Sequence, residues 1–162
     1  MLPLTPSQAR ARQLPLRVLR AAEVTTLEAV AEGLVPGATE AGISHFLDQQ
    51  LAASAEDNLL MLKYLGVTAA DQLPFYRGAL GSIDALARQR FKAPCQALDT
   101  AQLQQLLASL AADDTPGWQA APASFVFFVL RSDAVDVVYG TAAGSKAIDL
   151  PYMPHIEPET PW

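Results

Sequence analysis

Ser124-Phe125-Val126-Phe127-Phe128-Val129-Leu130-Arg131-Ser132-Asp133-Ala134-Val135-Asp136-Val137-Val138-Tyr139 is the stretch on which the fold class turns. Its first third, Phe125 to Val129, consists of the β-branched and aromatic residues that strands favour. A strand here would make the chain mixed α/β. The apolar pattern, however, runs on through Leu130, Ala134, Val137 and Val138 with no turn residue between them. That continuity favours a helix from Pro122 to about Val138. On sequence alone the strand reading stays open.

Working outward, the neighbouring segments read as helix. Asp99, with Gln102 three residues on, forms an approximate capping box and opens a helix with Leu103, Leu106, Leu107 and Leu110 on one face. Asp113, Asp114, Pro116 and Gly117 make the following loop, in which the acidic pair reads as a solvated turn. Further back, Leu27, Val30, Ala31 and Leu34 fall at i, i+3, i+4 and i+7, and Pro36-Gly37 ends that helix. A second helix is expected from about Glu40 to Ala52, with Ile43, Phe46, Leu47 and Leu51 inward. Another is expected from near Pro74 to Phe91, with Leu80, Ile83 and Ala87 inward, and with Gly78 and Gly81 suggesting close packing. Leu59 to Leu65 is apolar almost all round, as befits a segment central in the core or covered by another protein.

Beyond Tyr139 the character changes. Gly140 to Ala147 is small and reads as flexible, and Pro151, Pro154, Pro158 and Pro161 favour an extended arm. That arm carries Tyr152, Met153, Ile156 and Trp162, apolar groups that solvation alone would waste. The expected fold is all-α: a small helical bundle with a long extended Pro-rich C-terminal arm. The expected organisation is a basic N-terminal arm over 1–20, a helical domain over 21–139 and the extended C-terminal arm over 140–162.

Composition narrows the function. The chain has 162 residues, 51% hydrophobic and 17% charged, which is too apolar for intrinsic disorder and long enough for one core. A net charge of −6 argues against nucleic acid, which requires clustered Lys and Arg. The first 20 residues hold Arg10, Arg12, Arg17 and Arg20 and no acid, leaving seven bases against 17 acids in the rest. Pro3, Pro6 and Pro15 interrupt this arm, so no apolar stretch of a secretory signal follows the charges. No run approaches the ~18 apolar residues of a membrane span. On these grounds the chain as it stands is expected in the cytoplasm, or in the periplasm if a twin-arginine signal has been removed or a partner carries the export signal.

Candidates for chemistry are few. His45 has Gln49 at i+4 and so lacks a second ligand there; Asp48 at i+3 could pair with it, but packing beside the core is the plainer reading. His155 lies in the arm, between Pro154 and Ile156, where packing on a partner is favoured over a role in a partner's active site. Cys95 has Lys92 nearby but no histidine, which reads as an inert thiol. A lone cysteine also excludes an internal disulfide. Neither G-x-G-x-x-G nor G-x-x-x-x-G-K occurs. No catalytic, cofactor-binding or metal-ligating residue is therefore assigned. What remains is apolar surface: Leu59–Leu65, the Phe125–Leu130 run and the aromatic arm together exceed what one small bundle needs. Whether the Phe run serves the domain's own core or an interface stays open.

The order of several short motifs carries a resemblance. Leu19-Arg20-Ala21-Ala22-Glu23-Val24-Thr25-Thr26-Leu27-Glu28-Ala29-Val30-Ala31-Glu32-Gly33-Leu34-Val35-Pro36, then Ala38-Thr39-Glu40-Ala41-Gly42, resembles the gluconate 2-dehydrogenase subunit 3 family. So do Tyr76-Arg77-Gly78-Ala79-Leu80, Ala87-Arg88, Ala97-Leu98-Asp99 and Val138-Tyr139-Gly140. The ending Ile148-Asp149-Leu150-Pro151-Tyr152-Met153-Pro154-His155-Ile156-Glu157-Pro158 looks like the small subunits that accompany flavin-dependent glucoside 3-dehydrogenases. The resemblance spans roughly residues 16 to 162, and its specificity lies in the order of the motifs.

The resemblance implies a non-catalytic small (gamma) subunit. Its large partner would be of the glucose–methanol–choline type, bind FAD, oxidise a sugar or sugar acid and pass electrons to a cytochrome c or another acceptor. The small subunit would support folding, assembly and export. Two departures stand out: no twin-arginine signal is visible, and the Gly- and Trp-rich ending of the gluconate branch is missing, which moves the expected substrate toward glycosides. The expected partner contacts are Leu59, Leu62, Tyr152, Met153, His155, Ile156 and Trp162. The alternatives are a free-standing helical adaptor or ligand-binding domain and, third, an enzyme in its own right.

Overall fold

Phe125–Val129 is helix. The computed structural model describes residues 4–150, and among these there are nine α-helices, one short 3-10 turn and no strand. In chain order the helices are α1 (Pro6–Ala11), α2 (Ala21–Leu34), α3 (Ala38–Ala41), α4 (Ile43–Ala52), α5 (Met61–Tyr64), α6 (Ala69–Phe91), α7 (Thr100–Ala111), α8 (Ala123–Tyr139) and α9 (Ala142–Ala147); the 3-10 turn is Cys95–Ala97. The expected all-α bundle is what forms. Residues 151–162, the arm proper, lie outside the described residues.

The deciding stretch is one unbroken helix because its buried positions recur at helical spacing: Val126, Val129, Leu130, Asp133, Ala134 and Val137 all face inward. The strand propensity of five residues yields to a core that rewards the 3.6 period over seventeen. Its N-terminus is held from outside, since Asp113 accepts from the Ser124 N–H at 2.8 Å. Those bonds from Ser124 keep the Asp113 carboxyl below the usual carboxylate range. Asp114 pairs with Arg90 at 3.1 Å. The acidic pair is thus a working tie between α6, α7 and α8 and not simply a solvated turn.

α2 is the hub. It packs against α3, α4, α6, α7, α8 and the 3-10 turn, with Leu27, Val30 and Ala31 fully buried and Leu34 half-buried. Asp99 and Gln102 make the expected reciprocal cap of α7, at 2.8 and 3.2 Å.

Three boundaries differ from expectation, each for a local reason. The helix expected over Glu40–Ala52 is broken at Gly42, whose φ of 87° is left-handed and where a Cβ would run into the Pro6 carbonyl. α6 starts at Ala69, five residues before Pro74, because Thr68 and Asp71 form the true start; the Thr68 hydroxyl donates to the Asp71 carboxylate at 2.6 Å. Pro74 then gives up one backbone bond inside the second turn. Gly140–Ala147 is not loose: Thr141 accepts from the Gly144 N–H at 3.0 Å and opens α9.

The close packing expected at Gly78 and Gly81 is not found. Gly81 has nothing within 4 Å of where a Cβ would stand, and Gly78 meets only the Ala120 methyl at 3.9 Å. Both open onto a groove of about 470 Å³ beside Trp118. Tight packing is found instead at Gly33, against Leu103 and Leu107, as it is at Gly42.

Candidate functional site

The N-terminal arm is bolted to the bundle by a buried carboxylate. Asp48 on α4 accepts from three successive backbone N–H groups, those of Arg17, Val18 and Leu19, at 2.9, 2.8 and 2.8 Å. Three amides focused on two oxygens stabilise the anion strongly enough for it to be buried. Arg10 reaches Glu28 on α2 at 3.0 Å, Ser44 donates to the same Glu28 oxygen at 3.0 Å, and Arg77 pairs with Glu23 at 3.1 Å while donating to the Val18 carbonyl.

His45 does not pair with Asp48. Its Nε2 lies 3.1 Å from the Leu14 carbonyl and so carries the proton, donating to the arm; Nδ1 is buried without a partner. Cys95 is buried, with its backbone N–H on Asp84 at 2.9 Å. Burial, reinforced by the Asp84 carboxylate, pushes its thiol up to about 12, which leaves negligible thiolate near neutral pH.

The most buried polar contact escaped the sequence reading. The Tyr76 hydroxyl on α6 donates to Asp133 Oδ2 on α8 at 2.6 Å, with both side chains at 1% exposure or less. Asp133 Oδ1 has no hydrogen-bond partner. Burial pushes the Asp133 carboxyl up to about 7, against the opposing effect of the Tyr76 bond and with a further push from the Asp136 carboxylate. Burial and the adjoining Asp133 likewise raise the Tyr76 phenol. The pair ties two core helices together; neither oxygen borders a cavity described here.

The apolar segment Leu59–Leu65 divides into two roles. Asn58, buried, donates to Gln72 on α6 at 2.5 Å and accepts from the Leu60 N–H at 2.8 Å. This anchor turns Leu60 and Leu62 into the core, where both are fully buried, and sends Leu59 outward at 61% exposure. Leu62 therefore packs inside the chain's own core and not on its outer surface. Leu59 does face solvent, together with Tyr64 and Leu65. Tyr152, Met153, His155, Ile156 and Trp162 lie outside the described residues. The Phe run also divides: Val126, Val129 and Leu130 are core, Phe125 and Phe127 are half-buried, and Phe128 is exposed.

A largely apolar cavity of about 510 Å³ lies where α1, α3 and α4 meet the ends of α8 and α9, walled by Pro6, Ala41, Phe46, Val137 and Val138 with Glu40 at its rim. Among the described residues no three His, Cys, Asp or Glu side chains are arranged to hold a metal. The N-termini of α1, α7 and α9 are capped by their own Thr5, Asp99 and Thr141. Asp48 and Asp133 hold the arm and the core helices together.

The sequence pattern of gluconate 2-dehydrogenase subunit 3 matches residues 21–156. The chain belongs to that family. The family match begins at the first residue of α2 and takes in every helix of the bundle, so only the α1 arm lies before it. In the gluconate 2-dehydrogenase subunit 3 family a chain is one subunit of a dehydrogenase complex. No curated protein and no solved structure matches this chain. Among the described residues no helix is long and apolar enough to cross a membrane.

Proposed function

We propose that this chain is the non-catalytic small subunit of a flavin-dependent sugar dehydrogenase, folding with its catalytic subunit, stabilising it and carrying it through assembly. The family match over 21–156 carries the reading. The chemistry of the chain supports it: its buried thiol is protonated, and its buried carboxylates serve as fold ties. The partner in this reading is a glucose–methanol–choline type subunit that holds FAD and delivers electrons to a cytochrome c or another acceptor. The ending Ile148–Pro158 favours a glucoside, oxidised at carbon 3, over gluconate as the complex's substrate. The C-terminal arm is assigned to the large subunit through Tyr152, Met153, His155, Ile156 and Trp162.

The test is purification of the tagged full-length chain from its native host, followed by a visible spectrum and dye-linked assays with gluconate and glucosides. A stoichiometric flavoprotein subunit with sugar-oxidising activity is expected in the complex, and neither flavin nor activity in the chain expressed alone. Flavin or turnover in the lone chain would overturn the reading.

A further inference from the structure

Several large apolar side chains of this protein stand in solvent. Eight among the described residues are more than a third exposed. Three surround α5 (Leu59, Tyr64, Leu65), two stand on the outer face of α8 (Phe128, Val135) and two follow α9 (Ile148, Leu150). Only Leu14 lies elsewhere. α8 packs against both α5 and α9. Phe128 and Val135 are seven residues apart, two turns along the same strip.

Two cations near these groups differ in what they bind. Lys63 turns its ammonium back onto the carbonyls of Glu56 and Asn58, at 2.8 and 3.1 Å, and leaves the apolar side bare. Arg131, exposed between Phe128 and Val135, lies over the Phe127 ring at 5.6 Å and pairs with no carboxylate among the described residues. An arginine inside an apolar strip in a protein of net charge −6 is a specific complement for one acidic group on a partner.

We infer that the outer strip of α8, with Phe128, Arg131 and Val135, is the docking surface for the catalytic subunit, whose contact region is apolar and brings a carboxylate to Arg131. The inference rests on the function proposed above and names the surface that function uses.

The experiment compares the full-length tagged chain with a Phe128→Asp/Val135→Asp variant, an Arg131→Glu variant and Leu14→Asp as an off-face control. All are purified from the native host, and retained flavin and dye-linked sugar oxidation are measured. Wild type and Leu14→Asp keep the flavoprotein; the double variant and Arg131→Glu each lose about tenfold or more of it. Arg131→Glu, on an exposed side chain, decides the matter if the double variant does not fold. Retention by every variant overturns the surface but leaves the subunit reading standing, whereas absence of flavoprotein from the wild type overturns both. Two further results would assign a different occupant and so refute the proposal. One is a wild-type dimer in sedimentation that Phe128→Asp/Val135→Asp splits, which means a second copy. The other is hydrogen-exchange protection at Phe128 and Val135 in the lone chain that vanishes on deleting 151–162, which means the chain's own arm.

Discussion

Replacing Asp133 by Asn should convert a pH-dependent protein into a flatter one. The carboxyl sits at 1% exposure, accepts the Tyr76 hydroxyl on one oxygen and has no partner on the other. Burial raises it to about 7 in the folded chain from its ordinary value of 3.8. Between those values the folded state holds a proton that the unfolded state has released, so stability falls as pH rises, and the loss is complete only above the folded value. Each unit is worth ~1.4 kcal/mol, so the full loss is about 4 kcal/mol, of which ~3 kcal/mol falls between pH 4.5 and 8. Asparagine is close in shape to the protonated acid, so it should be near neutral at pH 4.5 and stabilising by ~3 kcal/mol at pH 8. Urea unfolding followed by far-UV circular dichroism at both pH values measures this. Taking wild type minus variant cancels the opposing contributions of Glu32 and Asp113, whose carboxyls are held low in the folded chain. A difference that is the same at both pH values would show that Asp133 does not titrate as a buried acid, and the argument would fall.

Four other perturbations have defined outcomes. Leu62→Asp should abolish the helical dichroism signal, since the charge would enter a fully buried site, whereas Leu59→Asp should leave the fold intact and act on partner binding alone. Gly42→Ala should cost ~2 kcal/mol or more in thermal or urea melts, because it combines a left-handed backbone with a collision against the Pro6 carbonyl. Deleting 151–162 should leave the helical content unchanged yet weaken co-purification of the flavoprotein about tenfold or more, as loss of aromatic anchors such as Tyr152 and Trp162 would; equal retention would show that the arm is no anchor.

What could be read in advance was whatever repeats at short range. Leu27, Val30 and Ala31 declare α2 by spacing alone, and Asp99 with Gln102 declares the start of α7 by side-chain reach. The start of α6 was equally legible, in Thr68 and Asp71, but Pro74 is the louder signal and misplaces it. Gly42 and the Asp48 tie depend on groups that are 29 or more residues apart, and no local rule reports them. Leu59–Leu65 shows the limit most clearly: composition marks the whole run as apolar, yet Asn58 and Gln72, fourteen residues apart, decide which leucines turn inward. Asp133 is the opposite case. It stands seven residues after Val126, four after Val129 and three after Leu130, so the period that makes α8 a helix already places it among core positions. A carboxyl there needs a donor, and no cation stands on that face of α8; the donor is the phenol of Tyr76, the bulkiest fully buried side chain of α6. Read outward, the same wheel puts Phe128, Arg131 and Val135 opposite Asp133. One helix therefore carries an acid on its inner face, satisfied from within the chain, and an apolar strip with an arginine on its outer face, which calls for an acidic, apolar partner.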